Sequence, residues 1–122
     1  GMVEQSVRSV YGDPSRVTPD LVDHYYDMAQ RAGNRRALGL RVDQVVREQA
    51  QADAAAARIA SLKVPTLILW GGRDALIPPD SAQRFARDIA GSKLVMFDDL
   101  GHVPHEEAPA RTLAPVLAFI AR

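Results

Sequence analysis

Apolar positions follow two regimes along the chain, and the change comes near Ala60. Before it, apolar residues recur at helical spacing and no strand signal is present. Thr18-Pro19-Asp20 reads as a helix start: a capping hydroxyl, proline in the first turn, then an acid at the positive end of the helix dipole. Leu21, Tyr25, Met28 and Ala29 follow on one face, and Gly33 is expected to close the segment as its C-cap. Asn34 is expected to cap a second helix in which Leu38, Val42, Val45 and Val46 make one apolar stripe. The Ala-rich run Gln49 to Ile59 continues the helical pattern, with room for a break.

After Ala60 strand and helix patterns alternate. Val64 to Trp70 is an almost unbroken apolar run that stops at Gly71-Gly72, which predicts a strand buried on both faces, as in a parallel sheet. Pro79 and Asp80 open a helix with Ala82, Phe85, Ala86 and Ile89 inward, ending at Gly91. Lys93 to Phe97 predicts a second buried strand, Asp98 to Glu107 a loop, and Pro109 the start of a last helix with Leu113, Val116, Leu117 and Ile120 on one side. Strand, helix, strand, helix implies a right-handed parallel crossover and hence an α/β unit. The expected organisation is one partial domain over 1–122, with 1–60 helical and cap-like and 61–122 the C-terminal strand–helix–strand–helix unit.

Composition narrows the partners. Lys plus Arg and Asp plus Glu both total 15, so nothing steers the chain toward nucleic acid or an anionic membrane. Without cysteine there are no disulfides, thiolate nucleophiles or Cys-based zinc sites, which fits a cytoplasmic location. No apolar stretch approaches the roughly 18–20 residues of a membrane span, and the N-terminus lacks the pattern of a signal peptide. Gly1 ahead of Met2 reads as a tag remnant, which would make Met2 a start codon and the chain a whole reading frame; a deliberately cut piece is the alternative. In 122 residues only roughly 60–70% of the unfolded surface is buried, so any apolar edge left open matters.

Functional residues of open parallel sheets gather at the carboxyl ends of strands. Two loops stand there: Gly71 to Pro78 carries Asp74, and Asp98 to Pro109 carries His102. One crossover apart, the two side chains are expected side by side. A carboxylate there fixes the tautomer of the imidazole and stabilises the imidazolium it forms on taking a proton. Neither residue would mean much alone, since an Asp after Gly-Gly is ordinarily a turn residue and a loop Gly-His ordinarily nothing.

In context the two loops resemble the α/β-hydrolase superfamily. VPTLILWGGRDALIP (64–78) matches the family's acid-bearing strand, with W-G-x-x-D and an apolar-apolar-Pro ending; GHVPHEEAP (101–109) matches its histidine loop, G-H-x-x-x-x-E-x-P, with Glu107 and Pro109 in register. The likeness covers 60–122 closely and 1–59 only loosely, as a cap-like segment. It implies the C-terminal portion of an α/β-hydrolase fold, parallel strands and crossover helices preceded by cap-like helices, with Asp74 and His102 as catalytic acid and base.

The family order of nucleophile, acid, histidine places any nucleophile upstream of Asp74. Ser6, Ser9, Ser15, Ser61, Ser81 and Ser92 all lack the G-x-S-x-G context, and no second acid fits a catalytic slot. Two readings of different class follow. The chain is the Asp–His half of a hydrolase of ester, lactone or related acyl bonds, inactive alone, its nucleophile half supplied by a separate chain or lost upstream. Otherwise it is a non-catalytic remnant or self-associating module. A weaker third reading is another doubly wound domain with incidental Asp and His. In each case a bare sheet edge or apolar face is expected to drive homo-oligomer formation. No cofactor or metal is assigned: Asp98 and Asp99 alone make a weak cation site. His105 is read as a surface histidine, His24 as packing beside Tyr25 and Tyr26, Trp70 as core, and Arg73 as a partner for a local acid.

Overall fold

The computed structural model describes residues 1–49 and 51–121; of Asp53 it describes the backbone. Helix α1 (Met2–Val10) leads into a 3-10 turn at Pro14–Arg16, then α2 (Pro19–Gln30), α3 (Asn34–Gln49) and α4 (Ala52–Ala60). Strand β1 (Leu67–Gly71), α5 (Asp80–Asp88) and β2 (Lys93–Phe97) follow, and α6 (Pro104–Glu107) and α7 (Pro109–Ile120) end the chain. β1 and β2 pair in parallel, Leu67 opposite Lys93 and Gly71 opposite Phe97. That is the α/β crossover expected from the alternation after Ala60.

Local chemistry explains most boundaries. The Thr18 hydroxyl accepts the Leu21 amide, so α2 starts where its cap and proline place it. α2 ends at Gln30, three residues short of Gly33. Gly33, at φ +86°, makes the turn between helices instead of capping the first. Asn34 also departs from expectation: its side-chain amide donates to the Met28 carbonyl at 2.6 Å, tying α3 back to the end of α2. The Ala-rich run does break, between Gln49 and Ala52; Ala50 lies outside the described residues.

Strand β1 starts at Leu67, three residues later than the apolar run suggests. Its partner begins at Lys93, whose amide reaches the Thr66 carbonyl, and Pro65 has no N–H to donate. Burial on both faces is not realised either. Only Ile68 and Gly71 of β1, and only Phe97 of β2, are buried. A two-stranded sheet covered by α5 and α7 has too few neighbours to enclose every position. The 98–107 loop is partly helical, with Pro104 opening the single turn of α6.

The best-enclosed apolar cluster lies outside the sheet. Val7, Tyr11 and Val17 form its centre, with Val3, Val10, Leu21, Val22, Tyr25 and Val103 packed around them. It joins α1 and α2 to the residue after His102. By contrast the α3 stripe is present but uncovered, Leu38 being 58% and Val46 69% exposed, and on α7 Leu113, Leu117 and Ile120 are exposed as well. Among the described residues no helix is long and apolar enough to cross a membrane.

Candidate functional site

Asp74 and His102 are brought together by backbone before side chains are considered. Leaving β1, the Gly72 amide donates to the Phe97 carbonyl at 2.7 Å and the Arg73 amide to the Leu100 carbonyl at 2.8 Å. The loop after β2 therefore lies across the loop after β1. Such an approach excludes side chains: a Cβ on Gly72 would stand 2.7 Å from the Asp98 Cα, and one on Gly71 would run into the Gly101 carbonyl. The Gly71-Gly72 pair is thus a requirement for bringing the acid to the histidine.

Asp74 is almost fully enclosed and every oxygen has partners. Its Oδ1 accepts the Leu76 and Ile77 amides, both at 2.9 Å, and its Oδ2 faces His102 Nδ1 at 2.9 Å. The two amides hold the carboxylate plane still, so the second oxygen has one direction in which to act. An ionised carboxylate has no proton to give, so Nδ1–H is the donor and Nε2 the acceptor of the ring. The Asp74 side chain is 4% exposed and that of His102 31%. An enclosed acid behind a partly open imidazole is suited to hold the ring and leave it accessible to a proton donor.

The histidine loop is anchored a second time, from the front of the chain. The His102 amide donates to the Val10 carbonyl at 2.7 Å, and the Glu107 carboxylate accepts the Gly101 amide at 2.6 Å and the Gly12 amide at 2.9 Å. Glu106 accepts the Tyr25 phenol at 2.8 Å and the Tyr11 phenol at 3.3 Å, which ties α2 to α6. Burial first, then the charge of Glu106 and the hydrogen bond to it, pushes both phenols up to about 12. Sequence reasoning placed Glu107 in register with a motif without giving it a task, and it passed over Tyr11 altogether. The signal lay in a pairing across 95 positions, which no local pattern carries.

The remaining candidates separate clearly. His24 is exposed, its ring edge-on to Tyr25 with centroids 6.5 Å apart, and His105 is exposed on α6. Trp70 packs on Phe85 with ring centroids 5.9 Å apart. Asp99 forms a two-pronged pair with Arg111, both contacts 2.8 Å, and that guanidinium holds its carboxyl down at about 2. The pair is exposed and adds little to stability. Arg73 is exposed and meets the fold through its backbone amide. Ser6 and Ser9 lie in α1, Ser15 in the 3-10 turn, Ser61 after α4, Ser81 in α5 and Ser92 before β2. None of the six stands on a strand-to-helix turn. Among the described residues no group of three or more His, Asp or Glu is arranged to hold a metal.

Comparison with known proteins identifies the fold family. A family model described as alpha/beta hydrolase fold matches residues 11–109. Lipase 3 of a Moraxella species is 33% identical over 92 residues, which is 75% of this chain and 29% of the lipase. A 2-hydroxy-6-oxononadienedioate/2-hydroxy-6-oxononatrienedioate hydrolase of Escherichia coli is 42% identical over 65 residues, 53% of this chain and 23% of that enzyme. Among solved structures, a serine hydrolase involved in carbazole degradation superposes with a TM-score of 0.82 at 22% identity, covering 98% of this chain and 46% of its own. A meta-cleavage product hydrolase gives 0.82 at 24%, covering 98% and 44%. The chain thus spans less than half of either structure, and at those identities the likeness is one of fold.

Proposed function

The chain belongs to the α/β-hydrolase fold family, and we propose that it carries the acid and base of a serine-type hydrolase, Asp74 and His102, for an ester, lactone or related acyl substrate. One observation supports this above others: an enclosed Asp74, fixed by two backbone amides, is 2.9 Å from the Nδ1 of a partly open His102 at the carboxyl ends of two parallel strands. In the proposed reaction His102 Nε2 takes the hydroxyl proton as the nucleophile attacks the acyl carbon. It returns that proton to the leaving group and then takes one from the water that releases the acyl enzyme. Asp74 holds the tautomer and offsets the transient positive charge, without itself being protonated.

The nucleophile and the donors that stabilise the tetrahedral oxyanion belong, on this proposal, to the portion of the fold that larger family members have and these residues do not provide. An Asp–His pair without those donors lacks the term that usually contributes most to rate, so the chain by itself is expected to be inactive. A front half bearing G-x-S-x-G, on a separate chain or fused upstream, completes the site. The uncovered apolar faces of α3 and α7 favour a second reading beside it, in which the chain associates with itself and performs no chemistry.

A chromogenic ester tests both. The chain alone is expected to turn over no faster than its His102→Ala variant. Fused behind the front half of a family member, it is expected to give turnover that His102→Ala abolishes. A folded fusion that binds a serine-directed probe yet works equally well without His102 rejects the catalytic assignment.

A further inference from the structure

Glu107 takes no part in the acid–histidine contact, yet with Asp74 it is one of two buried acids among the described residues, 8% exposed. Its Oε1 accepts the Gly101 and Gly12 amides at 2.6 and 2.9 Å, its Oε2 the Asp13 amide at 3.4 Å, and its own carbonyl the Arg16 guanidinium at 3.1 Å. The amide after Gly101, that of His102, goes to the Val10 carbonyl. Two successive amides of the histidine loop are therefore held by the Val10–Asp13 connection, one directly and one through a carboxylate. The contact is backbone on backbone. A Cβ on Gly12 would lie 2.6 Å from the Asp99 carbonyl oxygen, and one on Gly101 would strike the Gly12 amide and the Val10 carbonyl.

We propose that Glu107 is a positioning residue for His102, stapling the Val10–Asp13 strap onto the histidine loop so that the imidazole meets Asp74 at one height and one rotation. The proposal rests on reading Asp74 and His102 as the catalytic acid and base. A charged acceptor is the group that suits the task. One carboxylate serves amides from two distant segments at once, each a charge-assisted bond stronger than a neutral one. A carboxamide oxygen would take the Gly101 and Gly12 amides only as weaker, neutral bonds, and its NH2 would face the Asp13 N–H. Neighbouring Glu106 does different work, binding the two phenols of Tyr11 and Tyr25.

The test uses the whole chain, 15N-labelled, and follows the His102 Nδ1–H resonance, identified by its loss in Asp74→Asn. In Glu107→Gln that proton is expected to exchange with solvent at least about tenfold faster while the backbone spectrum stays dispersed. Glu106→Gln is expected to leave it unchanged. A folded Glu107→Gln chain with an unaltered Nδ1–H signal overturns the positioning role. Should that variant unfold, hydrogen exchange in the unaltered chain decides. Amides released from one carboxylate open together, so Gly12 and Gly101 are expected to exchange at the same rate; Gly12 exchanging freely while Gly101 is protected overturns the staple. No Asp74-dependent signal in the unaltered chain rejects the acid–histidine pairing itself, and the positioning role with it.

Discussion

Gly71 and Gly101 stand at the crossing of the two loops, so close that a Cβ on Gly71 would collide with the Gly101 carbonyl oxygen. Neither obstacle at that point is a flexible side chain, since the nearest atoms are the backbone oxygens of Leu100 and Gly101. One methyl group at position 71 therefore has to push the histidine loop off the end of β1. Gly71→Ala is expected to cost about 3 kcal/mol, the upper end of overpacking penalties, and to remove the Asp74–His102 contact even where the fold survives. A urea melt measures the first effect and the His102 Nδ1–H resonance the second. An alanine at 71 that left both unchanged would show that the loops do not meet as described.

Asp74→Asn tests the tautomer rather than the packing. The Asn oxygen can still accept from the Leu76 and Ile77 amides, so the turn is retained. Its NH2 then faces His102 Nδ1, which has to become an acceptor and shift the ring proton to Nε2, where it blocks base catalysis. In a completed hydrolase the expected loss is about a thousandfold or more in kcat with little change in KM. A loss confined to KM would move Asp74 from the chemistry to substrate binding.

The two raised tyrosines set an alkaline limit. Tyr11 and Tyr25 are neutral donors to Glu106, with folded values near 12 against an ordinary 10. A group whose value rises on folding stabilises fully below its unfolded value, so this contribution is intact below pH 10 and is lost as pH climbs toward about 12. Two of the three tyrosines should show phenolate absorbance late, with loosening of α2 in the same window. Glu106→Gln is expected to lower both values only part of the way, because burial is the larger cause and remains. A full return to ordinary titration would mean that the carboxylate, not burial, dominates.

Legibility in the sequence followed the range of the interactions. β2 was readable to the residue because KLVMF is a short apolar run between a glycine turn and paired acids. Asp74 and His102 were readable because strand ends place their loops side by side whatever the rest of the fold does. β1 was misjudged at its start because strand length is set by the partner, here at Lys93, and not by hydropathy. The strap was illegible for a related reason. Gly12 looks like any loop glycine until Asp99 and Leu100 pass within backbone contact of it, and Glu107 joins the nearby Gly101 amide to those of Gly12 and Asp13, more than 90 positions away. The division near Ala60 marks a real change of pattern, yet Tyr11, Tyr25 and Val10 act across it on the histidine loop.

The apolar stripe of α3 was equally legible as a pattern, but not its lack of cover. Val42 and Val46 lie one turn apart on that helix and are both more than half exposed, as is Leu38 above them, while among the described residues the two-stranded sheet leaves an unpaired edge on each strand. Burying such surface gains roughly 25 cal/mol per Å² of apolar area, so water is a poor neighbour for it and a second copy of the chain a better one. The purified chain is expected to run as a dimer or larger assembly in light scattering at micromolar concentration. The helix face and the sheet edge are separable. Val42→Lys together with Val46→Lys places charges on α3, where exposed positions tolerate them, and touches no strand. If α3 is the contact, this double variant becomes monomeric with its helical circular dichroism intact. If the assembly persists, the α7 face or pairing along β1 or β2 is responsible, and a backbone-blocking proline at an edge position dissolves it only in the second case. A monodisperse monomer for the unaltered chain would count against both.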